Sequence, residues 1–180
     1  IIGGATAGLS AALTLGRFNK KTIVFDNGKH RNRFARIAHN IFTRDGTPPS
    51  KLLSIARKQL ATYDTVSTIR SFIQNVKKGN GSFIISTDTR EKYRARKIIL
   101  ATGVTDVLPD IPGIKELWGT KVIYCPFCDG WEMRNMPMAL MMNGHALEST
   151  LPLLSTLHSD LVILSDGPPD ISSVFSKWLK

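Results

Sequence analysis

An α/β fold is predicted for this chain, and three observations at its start predict it. A short apolar strand, Ile1-Ile2, runs into a glycine-rich turn spanning Gly3 to Gly8. A helical stretch follows to about Phe18, with Leu9, Ala12, Leu13 and Leu15 at helical spacing. A second apolar run, Lys21–Asp26 (K-T-I-V-F-D), then ends on an acid. Strand, glycine turn, helix and strand make a βαβ unit, because parallel strands need a crossover between them.

The later elements follow from local chemistry. Gly28–Pro49 is polar and reads as loop. A helix opens at Pro49-Ser50, where proline's missing N–H costs nothing, and runs to about Tyr63 with Leu52, Leu53, Ile55, Ala56 and Leu60 apolar. Val66–Val76, Ser82–Thr87 and Tyr93–Leu100 read as β runs, broken by the Gly79-Asn80-Gly81 turn, and predict a β-meander. Ala101-Thr102-Gly103 follows directly. Pro109-Asp110-Ile111-Pro112-Gly113 is a stiff connector and a candidate boundary between a domain at 1–112 and another at 113–180. Beyond it, Lys121–Tyr124, Met138–Met142 and Leu161–Leu164 read as strands and Ser149–His158 as a helix, the start of a second βαβ-like unit.

Composition narrows the function. Among 180 residues, 42% are hydrophobic and 21% charged, with no apolar run of the roughly 18 residues a membrane span needs. The formal charge of +10 is spread over many short basic clusters without interleaved aromatics, which argues against nucleic acid and membrane partners. Such a surface still favours the approach of an anionic cofactor. The start lacks the basic and apolar regions of a secretory signal, so a cytoplasmic location is expected. The Asn80-Gly81-Ser82 sequon then reads as turn chemistry.

The loop Gly3-Gly4-Ala5-Thr6-Ala7-Gly8 departs from Gly-x-Gly-x-x-Gly only in Ala5, which narrows the approach of a pyrophosphate. Gly8 permits close helix–strand packing, and free amides at the helix start can receive phosphate. Asp26 stands 23 positions beyond Gly3, where an acid accepts from ribose hydroxyls. These features predict a Rossmann-like, dinucleotide-binding domain; the bland alternative is a tight turn without a ligand.

Cys125 and Cys128 are the chain's two cysteines. A redox-active pair fits best, since the spacing closes a small ring and Asp129 can exchange the accompanying proton. Zinc would need more ligands, a structural disulfide suits a secreted chain, and coincidence stays open.

Together these residues resemble the low-molecular-weight thioredoxin-reductase-like flavoproteins, within the FAD-dependent pyridine nucleotide-disulfide oxidoreductases. The carriers are Ile2-Gly3-Gly4-x-x-Ala7-Gly8-Leu9, Asp26, His39-Asn40, Ile98–Gly103, Pro112-Gly113 and Cys125-x-x-Cys128-Asp129-Gly130. The resemblance implies a discontinuous FAD domain enclosing an inserted pyridine-nucleotide domain that bears the cysteines. It implies that Gly3, Gly4, Ala5, Ala7, Gly8 and Asp26 cradle FAD, with Asn40 near the flavin, Val76 at the adenine through its backbone, and Ala101, Thr102 and Gly103 close to the cofactor. It makes Cys128 the thiolate facing the flavin, Cys125 the interchange thiol and Asp129 the acid/base. The Pro126-Phe127 spacer and Trp131-Glu132 look closer to a side branch that includes fungal dithiol oxidases. Phe127 and Trp131 then either line an apolar approach or pack in the core.

Two departures shape the expectation. The second glycine loop is Asn143-Gly144-His145-Ala146-Leu147, and Ser165-Asp166-Gly167-Pro168-Pro169 lacks a cationic cluster for the 2′-phosphate of NADPH. The first strand is also clipped and the chain ends inside the inserted domain, so it reads as a fragment. The expected function is an FAD-dependent dithiol/disulfide oxidoreductase with oxygen or another acceptor. The alternatives are an NADPH-dependent thioredoxin reductase, or an inactive FAD-binding remnant. Expected partners are a small dithiol or disulfide, or a thioredoxin-like protein, in a homodimeric full-length form; no metal is expected.

Overall fold

A computed structural model describes residues 1–178. It divides into two compact units, Ile1–Val122 and Ile123–Lys180.

In the first unit Ile2 forms parallel bridges to both Phe25 and Leu100. The glycine turn leads into α1 (Thr6–Arg17), and β1 (Thr22–Asp26) follows. A 3₁₀ turn at Arg31–Phe34 and an Ala38–Thr47 bridge give the polar stretch before α2 more structure than its composition suggests. Next come α2 (Pro49–Leu60) and β2 (Val66–Arg70), which pairs parallel with β1 from Thr22↔Val66 to Asp26↔Arg70. Leu9 and Ala12 of α1 pack against Val24 of β1 and against Leu53 and Leu60 of α2, forming the buried core. Fully burying a side chain of this size contributes about 1.5–3 kcal/mol, so these apolar contacts hold the crossover in place.

The meander comprises β3 (Ile73–Gly79), β4 (Ser82–Thr87) and β5 (Lys92–Ala95), in that order and antiparallel. The run expected at Val66–Val76 is therefore two strands in two different sheets. The chain changes sheets at Ser71-Phe72: Ser71 N–H donates to the Asp26 carbonyl at 3.1 Å, and the Phe72 carbonyl accepts from Asp88 N–H at 2.9 Å. Periodicity alone does not register a change of partner within an extended run. The run at Tyr93–Leu100 likewise divides, because β5 stops at Ala95 and Leu100 rejoins the parallel side through Ile2. Phe25 of β1 meets Tyr93 of β5 edge to face, with centroids 4.9 Å apart.

The one-turn helix α3 (Ile114–Leu117) follows the proline connector. No strand forms at Lys121–Tyr124; Val122 makes only an isolated bridge with Trp118. The stretch from Gly113 to Val122 belongs with the first unit, ten residues past the expected boundary at Pro112. Gly119 explains this, since it lies so close to the 3₁₀ turn that a Cβ there would be 2.8 Å from the Phe34 Cβ.

The second unit contains a one-turn helix α4 (Pro126–Asp129), β6 (Met138–Met141), α5 (Gly144–Leu154), β7 (Leu161–Leu164) and α6 (Ser173–Trp178). β6 and β7 are parallel, and α5 buries Leu147, Leu151 and Leu154. The helix expected at Ser149–His158 starts five residues earlier, because Asn143 caps it, and ends at Leu154. Among the described residues no helix is long and apolar enough to cross a membrane.

Candidate cofactor loop and redox disulfide

The first unit's glycine turn is held by its neighbours. Gly3 has φ +107, and a Cβ there would fall 2.0 Å from the Ala101 carbonyl oxygen and 3.2 Å from Thr102 N. A Cβ on Gly4 would lie 2.5 Å from the Cβ of Asp26, and one on Gly8 1.8 Å from the Gly3 carbonyl oxygen. Gly3, Gly4 and Gly8 therefore bring the turn, the acid and the Ala101-Thr102 segment together at distances no larger residue permits.

Ala5 sits at the N-cap of α1 without a side-chain hydrogen bond, and the first turn carries no acid. Thr6 and Ala7 are exposed. The amide end of α1 is consequently open, which is what an anionic phosphate requires. Asp26 is largely buried; its Oδ1 accepts from Gly28 N–H at 2.9 Å and its Oδ2 from the Arg57 guanidinium at 2.7 Å. Each carboxylate oxygen retains a lone pair for a ribose hydroxyl. These residues fit the pyrophosphate and ribose of a dinucleotide.

Asn40, Val76 and Gly103 are held elsewhere in the same unit. Asn40 is exposed at φ +59 and donates its N–H to Asp45 Oδ1 at 2.7 Å, while His39 Nδ1 lies 3.3 Å from Asp45 Oδ2. These hydrogen bonds, that from His39 foremost, hold the Asp45 carboxyl below its ordinary pKa. Val76 is half-buried on β3, paired with Ile85 on β4. Gly103 is exposed at φ +67, with nothing within 4 Å of the position a Cβ would take.

In the second unit Cys125 and Cys128 are disulfide-bonded, with Cα atoms 5.3 Å apart. Cys125 caps α4, and its carbonyl accepts from both Cys128 N–H (3.1 Å) and Asp129 N–H (3.2 Å). One helical turn thus places the two sulfurs side by side, with half-buried Asp129 on the next residue. Pro126 pre-sets the backbone of that turn. Phe127 and Trp131 are 66% and 62% exposed, so neither packs in the core of this unit. The Arg134 guanidinium lies 3.6 Å from the Trp131 ring centroid.

Arg57 and Arg134 were not anticipated from sequence. The Arg57–Asp26 contact spans 31 positions and follows no helical spacing. Asn143 did carry a signal, since asparagine directly after a strand is a favoured N-cap.

A parallel βαβ layout in each unit, an open glycine loop in one and a closed Cys-x-x-Cys ring in the other define a dinucleotide-fold protein of disulfide-oxidoreductase type. The chain belongs to the pyridine nucleotide-disulphide oxidoreductase family, whose model matches residues 1–151. It is 41% identical over 147 residues to thioredoxin reductase tcpT of Claviceps purpurea, covering 80% of this chain and 46% of that protein. It is 36% identical over 182 residues to thioredoxin reductase aclD of Aspergillus oryzae, covering 96% and 58%. The solved structure of an oxidoreductase from Agrobacterium tumefaciens matches with a TM-score of 0.92 at 33% identity, over 99% of this chain and 60% of that one. The chain spans about half the length of the curated relatives it matches.

Proposed function

We propose that this chain supplies the FAD-docking loop and the redox-active disulfide of a thioredoxin-reductase-like dithiol/disulfide oxidoreductase. The observation that carries this reading is the Cys125–Cys128 bond, formed within one helical turn in a chain of this family. Gly3, Gly4, Ala5, Ala7 and Gly8 would receive the pyrophosphate at the open end of α1, and Asp26 the adenosine ribose. Asn40, Val76, Ala101, Thr102 and Gly103 complete the assigned cofactor residues.

The sulfur chemistry balances on the chain's own residues. A substrate thiolate attacks Cys125 Sγ, forming a mixed disulfide and expelling Cys128 as a thiolate. The second substrate thiol, on losing its proton, attacks the mixed disulfide and releases Cys125 as a thiolate. The substrate departs oxidised, two electrons remain on the cysteine pair, and Asp129 takes or returns a proton as the thiolates form. FAD, when bound, supplies two-electron exchange with the reduced pair and onward transfer to oxygen or another acceptor.

A small dithiol is the favoured substrate class, supported by the exposed Phe127 and Trp131 beside the disulfide. A thioredoxin-like protein is the second reading, supported by the names of the fungal relatives. A homodimer in the cytoplasm belongs to the same proposal. The test is anaerobic addition of a small dithiol to the flavin-loaded protein, with flavin absorbance as readout. Bleaching that is lost in Cys128→Ser is expected. A protein that purifies without flavin and takes none up, or a Cys128→Ser variant that bleaches like wild type, overturns the proposal.

A further inference from the structure

The family implies a pyridine nucleotide at the second βαβ unit, and the residues there do not fit one. A dinucleotide needs the amide end of the helix after the first strand to be free for its pyrophosphate. In the first unit that end is open, as described for α1. In the second unit the same position, the start of α5, is occupied by the chain itself.

Asn143 does most of this. Its Oδ1 accepts from Gly144 N–H at 2.8 Å and from Asp170 N–H at 2.8 Å. Its Nδ2 donates to the Ser165 carbonyl at 3.1 Å and the Pro168 carbonyl at 3.3 Å. One side chain thus caps the helix and fastens the stretch after β7 across it. That stretch is fixed again further on, where Ser172 N–H donates to a Glu148 carboxylate oxygen on α5 and Ser172 Oγ accepts from Phe175 N–H of α6.

The charge at the covered end is also wrong for phosphate. Gly144 has φ +67, and both the carbonyl and a carboxylate oxygen of Asp170 would lie 3.8 Å from a Cβ built on it. A carboxylate already faces the positive end of the helix dipole, where a phosphate would stand. Glu148 adds a second acid one turn along, and Asp166 a third in the covering stretch. A groove of about 360 Å³ remains on the outer side, lined by His145, Glu148, Pro152, Val174 and Phe175 among others. Its walls add the Ser149 and Ser172 hydroxyls to the His145 imidazole, but they carry the Glu148 carboxylate and no lysine or arginine to offset the charge of a nucleotide phosphate.

We infer that residues 165–172 form a strap, pinned by Asn143 and Glu148, that closes the second unit's nucleotide loop, so that this unit takes neither NADPH nor NADH. The reducing equivalents then enter from the thiol side alone, a consequence that rests on the function proposed above. The strap itself stands independently of that reading.

The test joins amide hydrogen exchange with equilibrium dialysis of NADPH and NADH against the purified chain. Protected amides at Gly144, Asp170 and Ser172 are expected, with no saturable nucleotide binding that adds protection at 143–148. In Asn143→Gly, exchange at Asp170 is expected to speed up roughly tenfold or more, as two or more hydrogen bonds are lost. Unprotected strap amides in the wild type, an unchanged Asp170 rate in Asn143→Gly, or saturable NADPH binding that protects 143–148 overturns the inference. Failure to load flavin sinks the proposed function and leaves the strap untouched, so the two failures are separable.

Discussion

Replacing Gly3 by alanine asks how rigidly the glycine turn is held, and Gly103→Ala provides its control. Both glycines have positive φ, +107 at Gly3 and +67 at Gly103, so both substitutions meet backbone strain. Placing an L-residue in left-handed backbone costs roughly 1–2 kcal/mol. Gly103 has nothing within 4 Å of a new Cβ, so strain is its whole expected cost. At Gly3 the added carbon falls 2.0 Å from the Ala101 carbonyl oxygen, and neither side of that contact is a flexible side-chain end. Ala101 is itself tied down, since its N–H donates to the Ile2 carbonyl at 2.8 Å. Overpacking of this kind adds about 1–3 kcal/mol. Urea unfolding followed by circular dichroism should therefore place Gly3→Ala about 1–3 kcal/mol below Gly103→Ala. Equal midpoints at equal slope would mean that the turn is not clamped against Ala101 and Thr102.

Two further outcomes are expected. Arg57→Ala removes a partly exposed ion pair to Asp26, worth about 0–1 kcal/mol, so the proposed flavin binding should weaken by no more than about fivefold, and Arg57→Lys should recover part of it; a flavin fluorescence titration measures both. On acidification, Asp45 and Asp106 both have folded-state pKa values below the ordinary one, Asp45 chiefly through His39 and Asp106 chiefly through Arg31. Their contribution is present above the unfolded carboxyl pKa and is lost as pH falls through the lower folded values. A thermal-melt series should therefore show the loss beginning below about pH 4, and Asp106→Asn should flatten part of it. An unchanged acid limb in that variant would remove Arg31–Asp106 from the account.

The sequence carried the first crossover well because its signals are local. A glycine turn, an apolar helical face and a strand ending on Asp26 each depend on neighbours a few positions away, and α1, β1 and α2 formed within a few residues of expectation. The cysteine ring was equally local. What the sequence did not disclose were choices of distant partner. Val66–Val76 reads as one extended run, yet its halves join different sheets because Asp26 and Asp88 take the backbone at Ser71-Phe72. Arg57 reached Asp26 through packing of α2, without a sequence period. The start of α5 escapes the sequence for a different reason: Asn143-Gly144 reads as an incomplete glycine loop, yet the two residues form a strong helix start.

The edge-to-face contact of Phe25 with Tyr93 bears on any attempt to move this loop into another protein. Phe25 immediately precedes Asp26, and its ring rests on the outermost strand of the meander. The height of the acid above the glycine turn is thus set by a ring stack more than sixty residues away in sequence. A graft of residues 1–26 alone would carry the donors of the turn but leave its carboxylate without a buttress, and the ribose contact proposed for it would be the first to drift.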